Sequence, residues 1–131
     1  MIQNQSKIVI KDNSGLLLGR CINARKPYAS VGSRIKVAVL KAKSITKRKN
    51  ESNSSRNKLL QDLVLIQTKR IIIRNDGSTV KFNENRGVCV SKGRGGKLQL
   101  GFKRINSSVA LELKQSQKTN ANLVKFAKGL I

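Results

Sequence analysis

The sequence predicts a mostly β protein, a small barrel or sandwich with short helices confined to its C-terminal end. Three observations predict it. Short runs rich in Val, Ile and Leu recur at close spacing, separated by Asn, Asp, Gly and Ser turn residues. Little of the chain before residue 107 reads as helix. The length of 131 residues suits one domain with a modest core, so 1–131 is read as a single domain.

The elements follow in order. Residues 7–11 are short and β-rich, and Asp12-Asn13-Ser14-Gly15 supplies turn chemistry before the apolar character resumes over 16–22. Residues 28–33 read as a loop. Residues 34–39 alternate polar and apolar, as a half-buried strand does. From 41 to 58 the composition turns to Lys, Arg, Asn and Ser, with Ile45 the only large apolar residue, which predicts a long basic loop. The stretch 59–73 is the most apolar. Its interruption at Gln67-Thr68-Lys69-Arg70 predicts a strand that bends there and continues as a second arm at Ile71-Ile72-Ile73. Asn75-Asp76-Gly77-Ser78 predicts a hairpin, since Asp-Gly supports the positive φ of tight turns. Strands are expected over 79–82 and 87–91, a basic glycine-rich loop over 92–97 and a last strand over 98–102. Ser107-Ser108 predicts the cap of a helix from Val109 to about Lys114. Thr119-Asn120 predicts the cap of a second, from Ala121 to Lys128, stopped by Gly129, so the helical part spans about 107–131.

Charge narrows the function. With 28 Lys and Arg against 6 Asp and Glu, the net charge is +22, which repels itself unless a polyanion neutralises it. Nucleic acid is the expected partner, because each phosphate neutralised by a cation releases condensed counterions. An anionic membrane is the rival, but no apolar run approaches the ~18 residues of a spanning helix. The first fourteen residues are polar and contain Asp12, so no signal-type leader is expected. There is no His, and Asp12, Asp62, Asp76, Glu84 and Glu112 are scattered, which leaves no paired-carboxylate metal site; catalysis and cofactors are not expected. Cys21 and Cys89 each sit in an apolar stretch without Cys-x-x-Cys spacing, as small buried hydrophobes do; a disulfide is the alternative. Two other classes compete: a free-standing regulator that binds duplex DNA or membranes, and a nuclease.

The cations form three groups: Arg34, Lys36, Lys41, Lys43, Lys47, Arg48 and Lys49; then Lys69, Arg70, Arg74 and Lys81; then Arg94, Lys97, Lys103 and Arg104. Aromatics are only 3% of the chain, so base-stacking platforms are scarce and recognition should be of backbone and shape. Tyr28, flanked by Arg25 and Lys26, is the one aromatic among cations. No basic helix is available to read a major groove, and folded RNA suits this pattern better than duplex DNA. The 92–97 loop lacks the spacing of a phosphate-binding loop, and reads either as a hairpin tip or as a close approach to RNA phosphate.

Met1-Ile2-Gln3, Asp12-Asn13-Ser14-Gly15, Cys21-Ile22, Tyr28-Ala29-x-Val31-Gly32, Thr68-Lys69 and above all Arg74-Asn75-Asp76-Gly77-Ser78-x-Val80-Lys81-Phe82 resemble the ribosomal large-subunit protein L-fourteen family, collinearly to Leu130-Ile131. The resemblance implies a small five-stranded β-barrel with short C-terminal helices. It implies binding to large-subunit ribosomal RNA at the subunit interface and a bridge to small-subunit RNA. Neighbours would be large-subunit proteins L-three and L-nineteen, with a ribosome silencing factor docking on the exposed face. Family RNA contacts map best onto Lys26, Tyr28, Lys69, Arg70, Arg74 and Lys81. Departures fall at Gly32-Ser33, at Arg56-Asn57-Lys58-Leu59 after a lengthened loop, and at Asn106-Ser107-Ser108, which weakens the carry-over for the 44–58 loop and for the silencing factor. The match begins at Met1, so no import presequence is expected. With the abundance of Asn, Lys and Ile, this points to an organelle-encoded mitochondrial ribosomal protein, with a plastid or bacterial ribosome as alternatives.

Overall fold

The computed structural model describes residues 2–24, 28–43, 60–92, 98–100, 104–115 and 123–131. Among the described residues there are eight strands: β1 (Lys7–Ile10), β2 (Leu16–Ala24), β3 (Arg34–Ala42), β4 (Leu60–Gln67), β5 (Ile72–Ile73), β6 (Thr79–Val80), β7 (Arg86–Lys92) and β8 (Leu98–Leu100). One short helix, α1, spans Glu112–Gln115. Strands β1, β2, β3, β4 and β7 pair in that order, and β7 returns to β1 in parallel register, Val9 opposite Arg86 and Ile10 opposite Gly87. This closes a five-stranded barrel and removes its open edge. The far half of β7 carries β8.

Side-chain alternation explains why β4 is the most apolar segment. Leu63 and Leu65 point into the barrel, where they meet Ile8, Ile10, Cys21, Ile35 and Val37. Val64 and Ile66 point outward and join Val88, Val90, Ile105, Val109, Leu113 and Leu123 in a second core. A strand covered on both faces reads as a continuous apolar run, and here the C-terminal segment supplies the outer cover. β3 has only one covered face: Ile35 and Val37 are buried while Lys36 is exposed.

Turn chemistry behaves as the sequence predicts at two places. In the β1–β2 connection Gly15 has φ 80°, and Asp12 accepts the Ser14 amide at 2.8 Å and the Cys89 amide at 2.7 Å, fastening that turn to β7. The β5–β6 hairpin closes through Arg74 N–H to Ser78 O (2.9 Å) and Gly77 N–H to Arg74 O (3.0 Å). Only Gly77 takes a positive φ there, 81°, which identifies a turn with a glycine bulge.

Three expectations need correction. β3 continues through Lys41 and Ala42, so the basic segment does not begin as a loop at 41; residues 44–58 lie outside the described residues. The helix expected from Val109 is reduced to α1. Val109 instead forms a parallel bridge with Leu130, and the Ala110 amide donates to Ile66 O at 3.2 Å, so both backbones are committed to tertiary partners. Ser108 accepts from the Gln67 side chain, at 3.0 Å, and the Ser107 hydroxyl is buried without a partner. Of the second helix, 123–125 is described as helical; 126–128 is turn and bend, and Phe126 O and Gly129 O accept from Ile105 and Val109 instead of continuing a helix. The cap at Thr119-Asn120 and the tip of the 92–97 loop lie outside the described residues. Cys21 and Cys89 are both free and buried.

Candidate nucleic-acid interface

Among the described residues, every carboxylate is engaged inside the fold. Asp62 pairs with Arg34 across β3 and β4. Glu84 pairs with Arg86 at 2.9 Å and Glu112 with Arg74 at 2.8 Å. Asp12 accepts two backbone amides, and Asp76 accepts the Ser78 amide at 2.9 Å and its hydroxyl at 2.6 Å. The Arg86 hydrogen bond outweighs burial at Glu84 and, with the charges of Arg86, Lys11 and Lys69, holds its carboxyl below the usual range. Burial pushes the Glu112 carboxyl up, but the Arg74 hydrogen bond, a backbone hydrogen bond and the Arg74 charge together bring it below that range.

Most of the other described cations face water. Lys69 and Arg70 are exposed in the turn after β4, which the Lys69 amide fixes by donating to Asn85 Oδ1 at 2.9 Å. Lys81 is exposed just after β6, next to buried Phe82. Lys41 and Lys43 are exposed at the end of β3, with the Lys43 amide bonded to Gly15 O at 2.8 Å. Arg104 is exposed beside buried Ile105, which bridges to Asp12. Tyr28 is 49% exposed at the β2–β3 connection, next to Ala29, whose backbone pairs reciprocally with Ile2 at 2.8 Å.

Two of these residues, Lys69 and Lys43, each lie near a further cation, Lys11. Lys69 and Lys11 both lie near Glu84, close to where β1 meets β7, and Lys11 and Lys43 line a common cleft beside the β1–β2 turn. Sequence reasoning does not single out Lys11. Its one signal is its place immediately before the Asp12-Asn13-Ser14-Gly15 turn.

Arg74 differs from the rest of its group. It is half-buried, its Nε donates to Glu112 and a terminal nitrogen donates to Ile131 O at 2.9 Å, tying the hairpin to the C-terminal segment. Lys26, Lys47, Arg48, Lys49 and Arg94 lie outside the described residues.

No group of His, Cys, Asp and Glu among the described residues is arranged to hold a metal ion, and none of their helices is long and apolar enough to cross a membrane. Closed strands, internally engaged acids and outward cations define a small, strongly basic β-barrel protein. Comparison with known proteins gives the particular family. The chain belongs to the ribosomal protein L14p/L23e family, whose family model matches residues 1–129. It is also similar to the large ribosomal subunit protein uL14m of Neurospora crassa, with 32% identity over 123 residues, 89% of this chain and 91% of that protein. The chain is accordingly a structural constituent of the large ribosomal subunit, in a family of ribosomal structural proteins and not of enzymes.

Proposed function

We propose that the chain, as one domain, binds large-subunit ribosomal RNA at the subunit interface through Tyr28, Lys41, Lys43, Lys69, Arg70, Lys81 and Arg104, joined by Lys26, Lys47, Arg48, Lys49 and Arg94. The observation that carries this reading is the internal engagement of all five described carboxylates, which leaves the excess of a +22 chain to be neutralised from outside. Arg74 enters mainly as a positioning residue that sets the hairpin. Contact with small-subunit RNA across a bridge, and neighbours of the L-three and L-nineteen families, follow from the resemblance. So does docking of a silencing factor. The likeness to uL14m of Neurospora crassa and the Asn-, Lys- and Ile-rich composition support a mitochondrial ribosome and an organelle-encoded chain.

The test is charge reversal that spares the fold. With Lys69→Glu, Arg70→Glu and Lys81→Glu combined, the chain should no longer sediment with large subunits in a sucrose gradient. Normal incorporation would remove these three residues from the interface.

A further inference from the structure

Between the β1–β2 turn and the C-terminal segment lies a cleft of about 480 Å³. Leu16 and Leu17 form part of its apolar lining, Lys11 and Lys43 supply charge, and Asn13 and Asn106 supply amides. Asp12 also borders it, its two carboxylate oxygens held by backbone amides, and its single negative charge is outnumbered there by Lys11 and Lys43. The two asparagines are held side by side: Asn106 Nδ2 donates to Asn13 Oδ1 at 3.0 Å, and the Asn106 amide donates to Lys11 O at 2.9 Å. Both side chains are exposed at the cleft, and among the described residues neither the Asn13 Nδ2 donors nor the Asn106 Oδ1 acceptor has a protein partner.

We propose that this cleft receives one unstacked nucleotide of the RNA, an inference that rests on the RNA-binding reading above. A base edge carries a donor beside an acceptor, and a carboxamide, which carries both, is a side chain that matches such an edge. The volume falls in the range of small-molecule sites with apolar walls and a few placed polar groups. Single-stranded RNA is recognised in this way, by bases splayed out of the stack and bonded along their edges. Lys11 and Lys43 then meet the phosphates on either side of the extruded base. The cleft thus adds a base contact to a surface that otherwise reads backbone and shape.

The test uses the full chain, with backbone amide NMR shifts followed during titration with the four nucleoside 5′-monophosphates, with inorganic phosphate and with a short RNA duplex. Mononucleotide should shift the amides of Asn13, Gly15 and Asn106 well beyond the shifts that phosphate causes. Asn106→Ala removes an exposed side chain and keeps the backbone bond to Lys11. It should weaken mononucleotide binding about fivefold or more, the scale of one missing base-edge interaction, with duplex affinity unchanged; Asn13→Ala should do the same. Equal shifts from phosphate and mononucleotide, or variants that bind mononucleotide as the parent does, would overturn the nucleotide site and leave the RNA-binding reading standing. Loss of duplex binding by the parent chain would instead remove that reading.

Discussion

Counterion release offers a direct measure of which cations meet phosphate. Replace Lys69, Arg70 and Lys81 together by Met, and in a separate chain replace Arg74 by Met. The first three are exposed and have no acid partner among the described residues, whereas Arg74 is paired with Glu112 at 2.8 Å. Each phosphate that is no longer neutralised should reduce the slope of log affinity against log salt by about 0.7–0.9, so the triple variant should show a slope shallower by about 2–3 units. Arg74→Met removes a charge already balanced by Glu112 and should leave the slope nearly unchanged. The assay is fluorescence anisotropy with a labelled large-subunit RNA fragment, from about 100 to 400 mM KCl, a range in which salt dependence of this kind is steep. An Arg74 variant whose slope falls by a full unit would refute the reasoning, because its ion pair would then have opened towards RNA. An unchanged slope in the triple variant would refute the placement of those cations at phosphates.

Other outcomes concern the scaffold. A Cβ added at Gly19 would sit 2.1 Å from Val37 Cγ1 and 3.2 Å from Ala38 O, and Val37 is fully buried and β-branched, so it has no easy escape. Gly19→Ala should therefore cost about 1–3 kcal/mol, read as a fall in Tm of roughly 3–10 °C. Adding Val37→Ala should recover part of that loss, and strict additivity of the two changes would count against the clash. Glu112 has a folded pKa held below its ordinary 4.5, so the stability it lends is present above that value and is lost as pH falls through the lower, folded one. Hydrogen-exchange protection of the Leu111 and Ile131 amides, corrected for intrinsic rates, should drop below pH 4.5 and be lost at all pH values in Glu112→Gln. Burial raises the pKa of both Cys21 and Cys89, the latter with added repulsion from Asp12, so iodoacetamide should modify neither until the chain unfolds.

The barrel was legible because its strands announce themselves twice, by β-rich composition and by the turns between them. Asp12-Asn13-Ser14-Gly15 and Asp76-Gly77 act locally, through one Asx bond and one positive φ each, so reading them needs no knowledge of distant residues. The C-terminal segment is different. Its local pattern of Ser-Ser before an apolar run is that of a capped helix, yet the amide of Val109 goes to Gly129 and that of Ala110 to Ile66. Those partners are set by the second core, where Val109, Leu113 and Leu123 cover Val64 and Ile66, and no local signal encodes that choice. The same limit applies to the site. Exposed cations were countable in the sequence, but the ion pair from Arg74 to Glu112 and the meeting of Lys11 with Lys43 join residues far apart in the chain.

The few acids also show how so basic a chain stays folded. Asp12 fastens the first turn to β7, Asp62 links β3 to β4, and Asp76 closes the hairpin. Glu84 steadies the entry to β7 through Arg86, and Glu112 holds the hairpin to the C-terminal segment through Arg74. Each described carboxylate therefore sits at a junction between elements, where one anion satisfies backbone amides or a guanidinium. Only Glu84, near Lys11 and Lys69, and Asp12, on the cleft with Lys11 and Lys43, temper the positive field along the seam where β1 meets β7. Substituting an acid should weaken the fold, whereas substituting an exposed lysine should relieve repulsion in the free chain and weaken its hold on RNA. Stability of the isolated protein and fitness for an RNA-packed site thus pull the same lysines in opposite directions, and a charge of +22 marks the side on which this chain has settled.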